Sequence, residues 1–271
     1  MLSLPLVYTI LALIAYTASF WYLFLHLMSK RLPNNWFMAI LISLGLTLHL
    51  LVLSSDMLTI RGINYDFFNI VSFTSGFMLL LSFLFSTYRP VQALNLLAIP
   101  VAATGLILGF SFSKLSFPAI EPHSIQLDAH IILSLSAYTV LFMATMHAIL
   151  MWFQNRELKN KGKRRLWVSL LPAFQAMESL LFDMLVIGFS LLSVALLLGL
   201  VTIDDFFAQH LAHKTVFSLI SWFIYGALLI GHWKFGWRGN KAIQFTLLGF
   251  VLLAMGFLGS KFVLEMLIVA K

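Results

Sequence analysis

The chain has 271 residues, of which 61% are hydrophobic and 10% charged, with no cysteine and a formal net charge of +7. That composition excludes an ordinary soluble domain, which averages about 45–50% apolar and about 25% charged residues, and the lack of cysteine excludes disulfides, thiolate metal sites and thiol relays within the chain. The positive charges fall in short loops between apolar runs, so they read as topology signals and not as a nucleic-acid surface.

A hydrocarbon core about 30 Å thick takes about 20 residues of helix, and eight segments qualify: approximately residues 4–28, 36–57, 67–87, 93–112, 127–153, 179–201, 215–233 and 242–261. They are apolar all round, where barrel strands would alternate. The expected fold is all-α, a polytopic membrane bundle of about eight helices forming a single integral membrane domain, 1–271. The first run has no basic flank and is too long for a signal segment, so it reads as a retained helix. It closes on Lys30 and Arg31. The second carries His49 and Asp56, seven residues apart and therefore on nearly one face; the carboxylate is a candidate to hold the imidazole in one tautomer. The third places Asn69, Ser72 and Gly76 on a stripe suited to close helix contact. Pro100 and Gly105 interrupt the fourth and are expected to bend or loosen it.

The loop that follows contains His123. The fifth span opens with Asp128 and His130 and continues through Ser134 and Tyr138 on one stripe, with His147 deeper and about a quarter-turn away. Next comes the strongest charge run, Arg156 to Arg165. The sixth span begins as an interfacial helix after Pro172 and passes Glu178 and Asp183. A histidine-bearing acidic stretch, Asp204 to His213, leads into the seventh span. There Lys214, Ser218, Ser221, Trp222 and Tyr225 form a polar-aromatic stripe that suits either a packing seam or a wall for a flat ligand. Lys234 to Lys241 is a tight basic turn before the eighth span.

One set of loops holds 12 lysines and arginines and the opposite set, with the C-terminal tail, holds 5. The positive-inside rule then puts the richer set in the cytoplasm and both termini on the outer, periplasmic side. His49, His123, His130, His210 and His213 fall toward that outer side. Ionisable groups inside a bilayer are costly and tend to face a cavity or partner, which singles out His49 and His130. A neutral imidazole is a good ligand for haem iron. The competing reading of each is structural: a carbonyl partner for His49, an interface position for His130 and His213, and loop positions for His210 and His123. His26 and His232 read as interfacial anchors and His147 as a packing residue. No nucleotide-binding glycine loop, HExxH or GxSxG signature is present.

Three blocks carry a family likeness. His130-Ile-Ile-Leu-Ser-Leu-Ser-Ala-Tyr138 is the first. Glu178 through Gly188-Phe189, followed by Gly199, is the second. Lys214 through Trp222, then Gly236-Trp-Arg-Gly-Asn-Lys-Ala242 and Gly249-Phe250, is the third. In this order they resemble the membrane cytochrome c assembly proteins of the CcsA/CcmC/CcmF type, in the YpjD-like and HemX-like branch. The likeness covers about residues 128 to 265.

The resemblance implies an integral protein of the bacterial plasma (inner) membrane that handles haem at its outer face, with His130 at the position of the family's first external histidine. Where haem-handling members carry a tryptophan-rich segment, this chain has Asp204 to His213 without tryptophan. Where they carry a second external histidine, it has Lys261-Phe-Val-Leu-Glu265. His210 or His213 could substitute locally. The resulting expectation is a haem-binding or haem-linked accessory protein of cytochrome assembly, not an enzyme, with His130 and His213 as tentative haem-iron ligands and His49 and His210 as further candidates. The alternatives are a non-catalytic interaction or regulatory protein that keeps the fold without haem and, third, a transporter. The expected partners are the lipid bilayer, haem, and another membrane protein docked through the basic loop Arg156 to Arg165.

Overall fold

A computed structural model describes residues 3–29, 35–59, 62–89, 92–112, 124–159, 171–202 and 209–262. They form eight α-helices: α1 (Leu4–Met28), α2 (Asn35–Met57), α3 (Phe67–Tyr88), α4 (Asn95–Phe112), α5 (Ile125–Lys159), α6 (Phe174–Thr202), α7 (Gln209–Phe235) and α8 (Asn240–Phe262). The first seven are long and apolar enough to cross a membrane, and α8 is apolar over Asn240–Gly256. The fold is all-helical, as the apolar runs predict.

Three helices overrun their apolar windows. α5 continues to Lys159, α6 starts at Phe174 and α7 starts at Gln209. Hydropathy marks the stretch that suits lipid, whereas a helix continues through polar residues until glycine, proline or a cap stops it. His210 and His213 accordingly stand in the first turns of α7, not in a loop. Asp204, Asp205, His123, Glu265 and residues 160–165 of the basic loop lie outside the described residues.

The chain divides into two compact units, Met1–Ser124 with Lys163–Ala176, and Ile125–Gly162 with Met177–Lys271. In the first unit α1 packs on α2 and α4, and α3 packs on α2 and α4. Its core contains Tyr16 and Leu23 of α1, Ile42 of α2, Leu79 of α3, and Ile99 and Leu106 of α4. Lipid tails are as apolar as leucine, so close packing and interhelical hydrogen bonds hold such helices together. Gly105 and Gly109 of α4 supply the close approach. A Cβ at Gly109 would come 2.7 Å from the Cβ of Ser72, and one at Gly105 would collide with the Ser75 side chain. The sequence suggests that Pro100 and Gly105 interrupt this span; instead α4 runs continuously through Pro100, and Gly105 is a contact point. The hydroxyl of Ser82 donates to Asn95 Oδ1 at 2.7 Å, bolting α3 to α4.

Between α2 and α3 a two-residue antiparallel pairing, Leu58–Thr59 with Gly62–Ile63, closes the connection. Asp66 then caps α3, its carboxylate accepting from the Phe68 N–H at 3.2 Å, as N-cap residues do.

In the second unit α8 packs on α5 and α7. Gly249 of α8 receives the ring of Tyr225, whose Cζ lies 2.8 Å from where a Cβ would stand. The Ser221 hydroxyl donates to the Gly249 carbonyl at 2.8 Å. Gly188 of α6 faces Leu141 of α5 in the same way, at 2.6 Å. The turn joining α7 to α8 takes left-handed backbone at Gly236 (φ 65°) and Gly239 (φ 56°), where a side chain would be strained. Glu178 of α6 accepts the Gly239 N–H at 2.6 Å and ties that turn to the bundle.

Candidate functional site

His49 is 2% exposed, on the face of α2 that meets α1 and α3. Its Nδ1 lies 3.0 Å from the Tyr16 hydroxyl and its Nε2 2.9 Å from the Ser72 hydroxyl. The edge of the Tyr16 ring meets the imidazole at a centroid distance of 6.1 Å. Gly76 leaves room for the ring, since a Cβ there would lie 3.2 Å from His49 Cε1. Both nitrogens are therefore engaged by hydroxyls, and Asp56 is not the group that orients the ring, contrary to the sequence expectation. The stripe foreseen on α3 supplies the partner: Ser72 for the hydrogen bond, Gly76 for the space. Tyr16, 33 positions upstream, is the functional neighbour the sequence did not signal. His49 and Ser72 also line a cavity of about 370 Å³ between α2 and α3, together with Phe73 and Phe77.

His130 stands in the second turn of α5, half-buried. Its Nδ1 lies 2.8 Å from the Ala195 carbonyl of α6. A carbonyl only accepts, so Nδ1 carries the proton and Nε2 presents a lone pair. Among the described residues Nε2 has no hydrogen-bond partner. Gly199 permits this placement, because a Cβ there would stand 2.9 Å from His130 Cε1. An imidazole held by Nδ1–H to a backbone carbonyl with Nε2 unprotonated is the tautomer in which histidine binds a metal, the Nδ1 hydrogen bond fixing tautomer and ring direction. This donor set suits one axial position of a haem iron.

The polar-aromatic stripe of α7 resolves into packing contacts from Ser218 to Tyr225; the Lys214 side chain lies outside the described residues. Trp222 Nε1 donates to the Ser193 hydroxyl at 2.7 Å and its ring stacks on Phe189 at 5.4 Å. Ser218 lies 3.4 Å from the Tyr138 hydroxyl. Tyr225 points its hydroxyl at the Thr246 carbonyl, 3.5 Å away. The stripe is a seam between helices.

Of the remaining histidines, His147 is a packing residue, as the sequence suggests, and His232 and His26 each spend a ring nitrogen on a backbone carbonyl. His147 Nε2 donates to the Met177 carbonyl at 2.8 Å, joining α5 to α6. His232 stacks on Phe182 with ring centroids 3.5 Å apart, and its Nδ1–H donates to the Trp237 carbonyl. His26 bonds the Tyr22 carbonyl one turn back on its own helix. Of the candidate ligands, His49 belongs to the first unit and His130 to the second, while His210 and His213 are located by their backbone in α7. Among the described residues no group of three or more histidine and acidic side chains could enclose a metal ion, so a site here would depend on single axial ligands and not on a protein cage.

The family profile described as "Cytochrome C assembly protein" matches residues 4–268. "Inner membrane protein YpjD" of Escherichia coli (strain K12) is 33% identical over 138 residues, 51% of this chain and 52% of that protein. An uncharacterised protein of Azospirillum brasilense is 30% identical over 53% of this chain and 54% of its own length. "Cytochrome c biogenesis protein CcsA" of Gloeobacter violaceus is 27% identical over 34% of this chain and 28% of that one. The chain thus spans about half the length of the first two relatives. No solved structure matches it.

Proposed function

The chain belongs to the cytochrome C assembly protein family, and we propose that within it this multi-pass inner-membrane protein is a haem-binding or haem-linked accessory factor with His130 as an axial ligand. The observation that carries the reading is the 2.8 Å bond from His130 Nδ1 to the Ala195 carbonyl, which leaves Nε2 unprotonated, as an iron ligand must be. The excess of lysine and arginine in the opposite loops supports reading this end of α5 as the outer one. The second axial position falls to His213 or His210 at the start of α7. His49, in the first unit, spends its ring nitrogens on Tyr16 and Ser72.

Bound haem would supply a redox-active iron whose potential its axial ligands set. The chain's own part is to orient His130 through Ala195 and to leave space for the ring at Gly199. Neither task is a catalytic step, which agrees with an accessory role.

The test is the absorption spectrum of the full chain purified in mild detergent and supplied with haem. A Soret band expected in the wild type should be lost or shifted in His130→Ala, with unchanged elution and helicity. A wild-type spectrum indifferent to His130→Ala would overturn the assignment. A second reading, a non-catalytic interaction or regulatory protein, is favoured by the absence of tryptophan from Asp204 to His213. It predicts a membrane partner that co-purifies and is lost when the charges of Arg156 to Arg165 are neutralised.

A further inference from the structure

The end of the second unit built from the last turns of α5 and the turn between α7 and α8 has a chemistry that the haem reading does not use. At 1.5 Å per residue the 35 residues of α5 extend about 50 Å, well past a hydrocarbon core of about 30 Å. Its final turns therefore stand among headgroups. The side-chain amide of Asn155 donates to Asn240 Oδ1 at 2.7 Å, which brings Arg156, next to Asn155, to the same locus as Arg238 and Lys241, which flank Asn240. All three are exposed, as is Lys234. None of these four cations has an ion-pair partner among the described residues. The nearby acids are Glu157 and Glu178, both half-buried, and Glu178 is taken by the Gly239 N–H.

Apolar surface is interleaved with the charge. Trp233 is 66% exposed and Phe235 72%. The Arg156 guanidinium lies 5.7 Å above the ring of Trp152, and the Lys241 ammonium 5.4 Å from that of Trp237. Of the unit's lysines and arginines whose side chains are described, every one is at this end. Cations alone would suit any anion. Cations set between exposed tryptophan and phenylalanine, at the depth where acyl chains begin, suit a molecule with a negative headgroup and hydrocarbon directly beneath it.

We propose that this end of the second unit binds the phosphate headgroup of an anionic bilayer phospholipid, with Arg156, Arg238 and Lys241 facing the phosphate and Trp152 and Trp233 facing the upper acyl chain. The turn is well made for the task. His232 Nδ1–H to the Trp237 carbonyl (3.0 Å), Trp237 N–H to the Gly231 carbonyl (3.1 Å) and the Glu178 contact hold its backbone, so the cations it carries need little further ordering to bind.

The experiment is native mass spectrometry of the full chain in detergent with phosphatidylglycerol or phosphatidylcholine of matched acyl chains. Each cation near an anionic lipid surface is worth roughly a fivefold preference. The wild type should retain phosphatidylglycerol at least about tenfold more than phosphatidylcholine, and the triple variant Arg156→Gln, Arg238→Gln, Lys241→Gln should lose at least about tenfold of that preference. Arg89→Gln, in the other unit, should leave it unchanged. Quenching of wild-type tryptophan fluorescence by brominated phosphatidylglycerol, stronger than by brominated phosphatidylcholine at equal mole fraction, supports the site without any variant. Equal retention of the two lipids by the wild type, an undiminished preference in the triple variant, or displacement of phosphatidylglycerol by millimolar inorganic phosphate would overturn the proposal.

Discussion

Ser72→Ala isolates a single hydrogen bond inside the membrane. The hydroxyl it removes lies 2.9 Å from His49 Nε2, while the Cβ that packs against Gly109 is retained, so helix contact is little changed. Orphaning a buried polar group in a soluble protein costs about 1–3 kcal/mol. In a helical membrane protein such bonds average about 0.6 and reach about 1.7 kcal/mol, because the unfolded chain in the bilayer also finds partners. The membrane reference applies here, so Ser72→Ala should destabilise by about 0.6–1.7 kcal/mol. Tyr16→Phe, which removes the 3.0 Å partner of Nδ1, should fall in the same range. Combined with His49→Leu, both substitutions should become neutral or stabilising, since each then deletes a buried hydroxyl that has no imidazole to meet. The assay is the unfolding free energy from detergent-to-SDS titration, followed by helicity, across the single and double variants. Equal costs of Ser72→Ala with and without His49→Leu would refute the hydrogen bond between α2 and α3.

Gly109→Leu should push α4 away from α3, because even its Cβ would stand 2.7 Å from the Cβ of Ser72; a loss of about 1–3 kcal/mol is expected by the same titration, with a shifted imidazole nitrogen resonance for His49. Gly76→Ala, at 3.2 Å from the ring edge, should be far milder. Glu178→Ala removes the acceptor of the Gly239 N–H and should cost about 1–3 kcal/mol, whereas Glu178→Gln keeps an oxygen in place and should recover most of the loss. If the two Glu178 variants unfold alike, the carboxylate does not hold the turn.

The all-helical class and the places of the apolar helices among the described residues were legible because hydrocarbon thickness imposes a length and the apolar runs obey it. The start of α6 was legible from Pro172, but the C-terminal end of α5 and the start of α7 were not, since both helices extend beyond the apolar window into residues whose helicity depends on backbone continuity and not on lipid solubility. The Asn69, Ser72 and Gly76 stripe marked α3 as a close-packing face, and it is one. What the stripe could not say was which helix it meets. His49 paired with Tyr16 and Ser72 instead of Asp56 because a side chain near the end of its own helix competes with groups that neighbouring helices bring to the middle of the membrane. The α7 stripe was ambiguous for the same reason: Ser218, Ser221 and Trp222 look alike from sequence whether they face a porphyrin or another helix, and only Tyr138, Ser193 and Gly249 opposite them decide.

The histidines separate by what their two nitrogens do. His49 uses both on hydroxyls that can each donate or accept, so it is satisfied in either tautomer and gains nothing from a ligand. His147 gives Nε2–H to a carbonyl deep in a packed helix pair, where its other nitrogen is enclosed. His130 alone of the three combines a tautomer fixed by a carbonyl with a second nitrogen in a half-buried position near a helix end. The difference is one of position along the helix, because a carbonyl bond in the membrane interior consumes the histidine as a structural tie, whereas near the interface it leaves the far side of the ring to whatever enters. On the proposed haem reading, the absence of tryptophan from Asp204 to His213 removes one source of aromatic contact, so affinity would rest more heavily on axial ligation. His130→Ala should therefore lose or shift the Soret band more completely than in a protein that keeps a tryptophan platform.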